Sequence, residues 1–591
     1  MGDWFASVKV PRDVEEQQEQ SSSNNNNVID HVDPLPFASR RSPVLCRNGC
    51  VATGQPLASS IGLDLLRKGA NAAEAAIAIA ATLCVTEPCS TGLGGDMFCL
   101  YYDASTKKVS AINGSGKSPA GLNLDVLKCD FPGPEDQHGV DMDEYRFSAH
   151  AVTVPGAARG YEDLLERHGS GKFTLSDLLE PAAKLAEEGF PVAPITSHHW
   201  TSGMGQIKKW LKEGDVVPLT VDGVNGPQPG DVIHNPDLAR ALRDLGEKGS
   251  STGFYEGVTG QAIAEAVQKH GGTMTLDDLK NHTSTFPEAI SATYRDVRLW
   301  QVPPNGQGVA GLIALKGLAY LEKEGICPKI KPGTADTYHT MMEMMRLGFA
   351  DVRREVCDLE FMKDSRVEEY LLGNERIERR AEELFDLHRA TISGTPLPSS
   401  CTVSFQVVDG DGDAISFVNS NFMGFGTGIV PDGCGFTLQN RGFGFSMEPG
   451  HPNVIEPCKR PYHTIIPGII TYTDTDELYA SISNMGGNMQ PQGHMQLLLN
   501  MVAGDMDPQS AIDFPRFCIA DGTQGGEVHI EDGVREEELE DLLQRGQNLK
   551  THVRGYGRAV MGRAQIIKKN RETGVLWAGS DGRSDGCAIG F

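Results

Sequence analysis

One threonine in this chain stands where a nucleophile could be generated. Thr402 opens a strand-like run directly after the loop PLPSSC at residues 396–401. A threonine hydroxyl is a poor nucleophile unless a base lies beside it, and its own α-amino group, with an unperturbed pKa of about 7.7–8.0, is the simplest base available. That amine is free only if the chain is cut immediately before Thr402. The alternative interpretation is an ordinary strand threonine, because β-branched residues favour strands.

Patterns that would bind a cofactor or a metal are weak. The glycine runs at 92–95 and 424–428 do not have dinucleotide-binding or Walker spacing, so turns are favoured. The histidine pair at 198–199 has no helical partner four residues away, and HExxH is absent. Asp581 and Asp585 could bind a cation, but a glycine-rich C-terminal loop is favoured. We therefore expect no cofactor and no metal site.

Composition narrows the class of protein. The chain has 591 residues, 53 Lys and Arg against 79 Asp and Glu, and a formal charge of −26. This balance argues against a nucleic-acid partner, which requires clustered basic residues. The hydrophobic share of 39% suffices for a sizeable core, and the length suggests roughly four domains or fewer, larger ones.

Targeting signals and cysteine usage indicate where the protein resides. No run approaches the roughly 20 apolar residues of a membrane span, and the N-terminus lacks the order of a secretory signal. The 13 cysteines form no CxxC pair, so reduced and mostly buried thiols are expected. These features favour a cytoplasmic protein without a membrane span.

The order of predicted elements indicates a layered fold. Residues 1–41 contain a polar, low-complexity stretch and are expected to form a disordered tail. Helical periodicity and alternation predict helices first, then a block of strands, then helices again, which is typical of helix layers over a mainly antiparallel sheet. The helices are predicted at 57–86 with a break at Gly69, 160–188, 334–358, 490–515 and 535–546, and the strands at 402–484. The methionines of 334–358 are expected to fill the core.

Several motifs in one order resemble a known family. The blocks are NAAEAAIAIAATLCVTEPCSTGLGGDMF at 71–98, VPGAARGYEDLLERHG at 154–169, LLEPAAKLAEEGFPV at 178–192, GGTMTLDDL at 271–279, YHTMMEMMRLGFADVRR at 338–354, TVSFQVVDGDGDAIS at 402–416, FGTGIV at 425–430, KRPYHTIIP at 459–467 and NMGGNMQPQGH at 484–494. They resemble the γ-glutamyltransferase (glutathione hydrolase) family of N-terminal-nucleophile hydrolases, in its glutathione hydrolase-like branch. The resemblance covers about residues 42–591.

The resemblance implies a four-layer αββα sandwich of the α+β class, made as one precursor. Self-cleavage between Cys401 and Thr402 would give a large subunit region, 42–401, and a small one, 402–591, that together form one compact domain. The freed amine of Thr402 would then act as the general base. By resemblance, the amides of Gly486 and Gly487 stabilise the oxyanion, and Ser420 hydrogen-bonds the nucleophile.

The residues at the positions that bind the γ-glutamyl group in the family are different in this sequence. Five residues occupy or adjoin the substrate-binding positions: Ser115, Lys117, Arg441, His463 and Thr464. The position of the acid that pairs with the α-ammonium is Gly444, and the family's Asn position is Phe422. A buried ammonium needs an anion, whereas Arg441 suits a carboxylate. The pocket is therefore predicted to fit an anionic or neutral acyl group better than a zwitterionic one. For Arg441 alone, a surface salt bridge is the alternative.

Three hypotheses follow. The leading one is a self-processing threonine amidohydrolase or acyltransferase that resembles glutathione hydrolase and cleaves γ-glutamyl amides. The second keeps the fold and mechanism but acts on another acyl amide, as an acylase or amidohydrolase. The third is a non-catalytic binding protein that retains the fold. For the enzymes, the expected partners are a small-molecule substrate, water or an amine acceptor, and the two subunits of one precursor; an oligomer is compatible with the sequence.

Overall fold

A computed structural model describes residues 41–364, 366–396, 402–520 and 526–591. The predicted tail, apart from Arg41, and the predicted cleavage residue Cys401 lie outside these residues. Thr402, on the other side of the predicted scissile bond, is described.

Within the described residues, 18 strands form two large sheets and two small ones. The six-stranded sheet has the order β18-β2-β9-β10-β3-β4, and the seven-stranded sheet has the order β1-β17-β16-β12-β11-β8-β7. All pairs in both large sheets are antiparallel. The strands are β1 Val44–Cys46, β2 Cys50–Thr53, β3 Asp96–Asp103, β4 Lys108–Gly114, β5 Phe190–Pro191, β6 Val232–Ile233, β7 Ile290–Tyr294, β8 Val297–Gln301, β9 Val403–Val408, β10 Ala414–Ser420, β11 Gly468–Tyr472, β12 Leu478–Met485, β13 Phe517–Ile519, β14 Val528–Glu531, β15 Leu549–Val553, β16 Arg563–Lys569, β17 Leu576–Ser580 and β18 Cys587–Gly590.

Helices in the described residues differ in length, and the longer ones cover the outer faces of the two large sheets. They are α1 Pro56–Arg67, α2 Ala72–Thr86, α3 Leu124–Asp130, α4 Met142–Tyr145, α5 Ala157–His168, α6 Leu175–Glu188, α7 Pro194–Lys208, α8 Pro236–Ser250, α9 Val258–Lys269, α10 Leu276–Lys280, α11 Gly308–Lys323, α12 Ala335–Glu355, α13 Val367–Tyr370, α14 Asn374–Leu384, α15 Met489–Val502, α16 Pro508–Asp513 and α17 Glu536–Gln544. Short 3-10 turns include Arg441–Gly444.

Three cores separate four layers. One core joins α1, α2, α5, α6 and α8 to the outer face of the six-stranded sheet. A second joins α11, α12 and α15 to the outer face of the seven-stranded sheet. The third lies between the sheets and includes Phe98, Val418 and Ile469. The expected αββα sandwich of the α+β class is confirmed.

Local sequence explains the helix that supports the six-stranded sheet. The break predicted at Gly69 separates α1 from α2, and Asn71 caps α2 in a capping box with Glu74. Every residue of α2 is buried, in agreement with its apolar residues on all sides. The methionines of α12 are also buried as predicted.

The C-terminal strands were not predicted from the sequence. Residues 563–590 form β16, β17 and β18, and the predicted loop at Asp581 and Asp585 lies between the last two. Two short strands flanked by glycine and charged residues carry a weak local signal. Their pairing with β12, β1 and β2 is what establishes them.

Two further sequence expectations can be compared with the described residues. The cysteines there carry free thiols, and most are buried. No helix in that part of the chain has both the length and the apolar character needed to cross a membrane.

The contact between α11 and α12 predicts a stability difference between two glycines. A Cβ at Gly348 would lie 2.4 Å from the Ala310 carbonyl oxygen, whereas a Cβ at Gly205 on α7 would meet nothing within 4 Å. Gly348→Ala should lower the free energy of unfolding by about 1–3 kcal/mol because the helices must separate. Gly205→Ala should raise it by about 0.5–1 kcal/mol through helix propensity. Denaturant unfolding of both variants tests this; equal effects would contradict the packing described.

Candidate functional site

Thr402 points between the two sheets. It precedes β9, in which Ser404 and Gln406 share its side of the strand by alternation. Ser404 Oγ accepts a hydrogen bond of 2.8 Å from Ser483 Oγ of β12, and Gln406 Nε2 donates one of 2.6 Å to the same Ser483. The predicted nucleophile is therefore buried against the end of β12.

Ser420 contacts Thr402 as the sequence predicted. Strand β10 pairs with β9 so that Asn419 faces Val403, which brings the two hydroxyl residues at the strand ends together. Thr402 Oγ1 donates to Ser420 Oγ at 3.1 Å, and the Phe422 backbone N–H donates to that Oγ at 2.8 Å. The Ser420 oxygen is thus held in place beside Thr402.

Arg441 donates to the same Ser420 oxygen and is completely buried. Its Nη2 lies 3.2 Å from Ser420 Oγ, and its Nη1 donates to Thr464 Oγ1 at 2.8 Å. The guanidinium lies over the Phe422 ring at 4.2 Å, a cation–π contact. Among the described residues, its Nε has no hydrogen-bond partner. The Arg441 fork therefore keeps one N–H donor that is not used by any described residue.

The charge of Arg441 is not balanced by a contact ion pair. Within the described ranges, none of the ion pairs closer than 4.0 Å includes this residue. Burial lowers the pKa of Arg441 to about 9, and the charge of Asp96 opposes that shift. The guanidinium therefore remains a cation at neutral pH, with Asp96 as a compensating charge.

Asp96 is saturated by donors. The backbone N–H groups of Gly116 and Gly156 and the Gln439 amide donate to its Oδ1 at 3.0, 3.1 and 2.9 Å, and His463 donates to its Oδ2 at 3.0 Å. Burial opposes its ionisation, but the hydrogen bond from His463 and the charges around it hold the pKa of Asp96 below its usual value. This carboxylate is an anchor for two loops.

His463 is neutral. Burial lowers its pKa to about 4, assisted by the charge of Arg441 and opposed by Asp96. Its Nε2–H donates to Asp96, and its Nδ1 accepts the Ile465 backbone N–H at 3.3 Å, which is the pattern of one neutral tautomer. His463 therefore adds a donor and no charge.

Hydrogen bonds also join the predicted oxyanion glycines to this group. Gln307 Nε2 donates to the carbonyl oxygens of Thr464 and Gly487, both at 2.9 Å. Gly486 and Gly487 have φ values of 128° and 57°, a region that favours glycine. A Cβ on Gly486 would lie 2.8 Å from Gly562 Cα. The turn needs glycine for both conformation and space.

The other two predicted substrate-binding residues lie further out. Ser115 is buried, and its Oγ accepts a 3.0 Å hydrogen bond from Asn305 Nδ2, while the Asn305 carbonyl accepts the His463 N–H at 2.8 Å. Ser115 therefore supports the site through Asn305. Lys117 forms a partly exposed ion pair with Glu360 at 3.3 Å. Of Arg441, His463 and Lys117, only Arg441 gives the site a positive charge.

The comparison with protein families agrees with this geometry. The gamma-glutamyltranspeptidase family model matches residues 58–591. The chain belongs to the gamma-glutamyltranspeptidase family. It is therefore an N-terminal-nucleophile hydrolase of that family, and the proenzyme names of its relatives imply one precursor that gives two subunits.

Individual relatives cover nearly the whole chain. The glutathione hydrolase-like YwrD proenzyme of Bacillus subtilis (strain 168) is 34% identical, over 90% of this chain and 97% of its own. The oxamate amidohydrolase proenzyme of Klebsiella pneumoniae is 28% identical, over 92% and 98%. The crystal structure of cephalosporin acylase from Bacillus halodurans superposes with a TM-score of 0.83 at 36% identity, over 95% and 99%.

Three polar residues of this family site were missed by sequence reasoning. Asp96, Asn305 and Gln307 come from two segments that the sequence analysis did not assign to the site. Asp96 follows the glycines of GLGGD, a pattern that by itself predicts only a turn. A Cβ at Gly95 would lie 2.3 Å from the Ser420 carbonyl oxygen. A glycine run that ends in an acidic residue is therefore a sequence signal for a backbone segment that packs closely against the strand beside the nucleophile.

Asn484, two residues before the diglycine turn, is held from both sides. Its backbone N–H donates to His494 Nε2 at 3.2 Å, and its Oδ1 accepts from Arg516 Nη1 at 2.8 Å. Burial lowers the pKa of His494 to about 3. Because Nε2 of this neutral ring accepts, Nδ1 carries the proton. The Gln301 amide nitrogen lies 2.9 Å from Nδ1, and turning this amide over would place its oxygen, which otherwise has no partner among the described residues, on that proton. His494 thus positions the turn as an acceptor.

This arrangement makes a prediction for precursor cleavage. His494→Leu leaves the Asn484 N–H unpaired, a cost of about 1–3 kcal/mol, and should slow cleavage about tenfold or more. His494→Gln can present a carbonyl oxygen and should retain more of the rate. The time course of precursor loss on denaturing gels measures this, with exposed His388→Gln as the control. Equal rates for the Leu and Gln variants would contradict the acceptor role.

Proposed function

We propose that the chain is a self-processing amidohydrolase whose Thr402 is the nucleophile and whose acyl substrate carries a carboxylate. The observation that carries this proposal is Arg441, a buried cation whose Nε lacks a partner among the described residues and whose Nη2 shares Ser420 with Thr402. A bidentate carboxylate would complete its fork.

Processing and turnover would use the same groups. In the precursor, Thr402 Oγ1 attacks the Cys401 carbonyl carbon, and the peptide C–N bond breaks and frees the Thr402 amine. Water then hydrolyses the resulting ester to a Cys401 carboxylate and the Thr402 hydroxyl. In turnover, this amine takes the hydroxyl proton as Oγ1 attacks the substrate amide, and the proton passes to the leaving amine. Water or an amine then releases the acyl group. The N–H groups of Gly486 and Gly487 would receive the oxyanion.

γ-Glutamyl hydrolysis is the second candidate, supported by the family match and by the ability of Arg441 to receive an α-carboxylate. The α-ammonium group of a γ-glutamyl substrate weighs against this second candidate. Among the described residues, Asp96 is the carboxylate whose charge acts on Arg441. It already accepts four hydrogen bonds. The relatives named for glutathione, oxamate and cephalosporin show that the family does not fix one acyl group.

The nucleophile is tested by paired substitutions. Thr402→Ala should leave one uncut chain, because no hydroxyl can attack Cys401. Thr402→Ser should still cut and give a small subunit beginning at residue 402. Thr106→Ala, in the exposed turn after β3, is the control and should be processed normally. N-terminal sequencing of the small subunit decides this; a different N-terminus or cleavage of the Ala variant would refute the assignment.

The charge requirement is tested with p-nitroanilides matched in length. Succinyl, butyryl and β-aspartyl anilides share four carbons but are anionic, uncharged and zwitterionic; glutaryl, valeryl and γ-glutamyl anilides do the same for five. At four carbons kcat/KM should be highest for the anion, by about 30-fold over the uncharged compound if the pair with Arg441 contributes about 2 kcal/mol, and at five carbons the preference should be the same or smaller.

Arg441→Met should abolish this preference for the anion in any processed enzyme. Arg571→Met, at a partly exposed arginine, is the control. A wild-type preference for the zwitterion at both lengths would instead support γ-glutamyl specificity.

A further inference from the structure

The position of Arg441 relative to Thr402 restricts the length of the acyl group. Ser420 Oγ lies 3.1 Å from Thr402 Oγ1 and 3.2 Å from Arg441 Nη2. The nucleophilic oxygen and the guanidinium nitrogen therefore cannot be further apart than these two distances laid end to end. A substrate that bonds to one and pairs with the other must span this gap.

One edge of the guanidinium ends in a nitrogen that lacks a hydrogen-bond partner among the described residues. Thr464 occupies Nη1, and the Phe422 ring covers one face. Nη2, which contacts Ser420, shares one edge of the guanidinium with Nε, the nitrogen that has no partner among the described residues. Carboxylates bind such an edge with two parallel hydrogen bonds. The carboxylate would therefore sit beside the Ser420 hydroxyl.

Bond lengths limit the number of carbon atoms that the acyl group can have between Thr402 and Arg441. A carboxylate oxygen takes about 2.8 Å of the gap as its hydrogen bond to the guanidinium, and each carbon–carbon bond adds at most about 1.5 Å. Once the acyl carbonyl carbon is bonded to Thr402 Oγ1, one or two carbon–carbon bonds reach the carboxylate. A five-carbon chain would have to fold back in a site whose lining side chains Thr402, Ser420, Arg441 and Thr464 are all at most 1% exposed.

We infer that the enzyme is selective for monoamides of the shortest dicarboxylic acids, with an oxalyl or malonyl acyl group. This rests on the proposed function, because it assigns the acyl carboxylate to Arg441. In the reaction, the acyl–nitrogen bond breaks, the acyl group forms an ester with Thr402, and water releases the free dicarboxylate while the amine leaves with the proton. His463 is neutral and the Asp96 carboxylate already accepts four hydrogen bonds, so neither offers a charged partner to a longer or zwitterionic acyl group.

A length series tests the inference. The processed enzyme is assayed with oxalyl, malonyl, succinyl and glutaryl p-nitroanilides, and each kcat/KM is divided by the alkaline hydrolysis rate constant of the same compound to remove intrinsic reactivity. The corrected value should peak at two or three carbons and fall at least about tenfold by glutaryl. A peak at glutaryl, or a flat profile, would overturn the inference.

The Arg441→Lys variant gives a second test, because it should change the acyl-chain length at which kcat/KM is highest. General damage to the site would lower kcat/KM at every length without moving that optimum. Lysine keeps the charge but reaches less far and lacks the fork, so the optimum should move to a longer acyl chain. An unchanged optimum would count against the geometry. If the variant is not processed, inhibition of the processed wild type by oxalate, malonate, succinate and glutarate replaces it, with the two shortest expected to bind best and a preference for glutarate contradicting the inference.

The outcomes separate this inference from the proposed function. If anionic anilides are preferred over their matched uncharged analogues but the length profile is flat, the acidic acyl group stands and the short chain fails. If no anionic compound is preferred at any length, the proposed role of Arg441 fails as well.

Discussion

The buried guanidinium of Arg441 is the constraint on which the site depends. A cation removed from water must be compensated by charge or hydrogen bonds, and here Ser420 and Thr464 give two oxygen acceptors while Asp96 gives a charge at longer range. The resulting pKa of about 9 keeps the residue charged at neutral pH. A carboxylate ligand would relieve the remaining imbalance, so the energetics of this one residue favour binding of an anion beside Thr402.

The two-sheet architecture brings that arginine to the nucleophile. Strands β9 and β10 present Thr402 and Ser420 at adjacent ends, and β12 leads into the diglycine turn across the inner core. Gln307 and Asn305, from the segment between β8 and α11, then tie the turn and the His463 loop together. Sheet register sets the distance between Thr402 and Ser420, and hydrogen bonds between loops set the positions of Arg441 and the diglycine turn.

The same register explains how a cut before Thr402 could leave the fold intact. Strands from the two sides of that bond pair with one another in both sheets: β9 pairs with β2, β10 with β3, β11 with β8, and β17 with β1. Backbone hydrogen bonds therefore join the two proposed subunits at many points. Asp96 and His463, one from each side, also form a buried pair. Cleavage would free an amine without separating the layers.

Local sequence patterns predicted many of the helices and strands, but they did not predict which distant residues contact one another in the site. Helices α1, α2 and α12 and the strands after Thr402 follow from periodicity, and the motif order predicted the contact between Thr402 and Ser420, which the structure shows. The neutral state of His463 could not be predicted, because it depends on burial beside Arg441 and a hydrogen bond to Asp96, 367 positions away in the chain. The role of Lys117 also depends on the tertiary fold, because its partner Glu360 lies 243 positions away in the chain. The strands after residue 562 depend on neighbours that only the tertiary fold supplies.

A crystal structure of the processed enzyme with bound malonate would test the role of Arg441 most directly. We predict one carboxylate on the Nε and Nη2 edge of Arg441, with oxygen–nitrogen distances of about 2.8 Å, and the other carboxyl group between Thr402 and the amides of Gly486 and Gly487. Malonate bound elsewhere in the cleft, with Arg441 still joined only to Ser420 and Thr464, would contradict it.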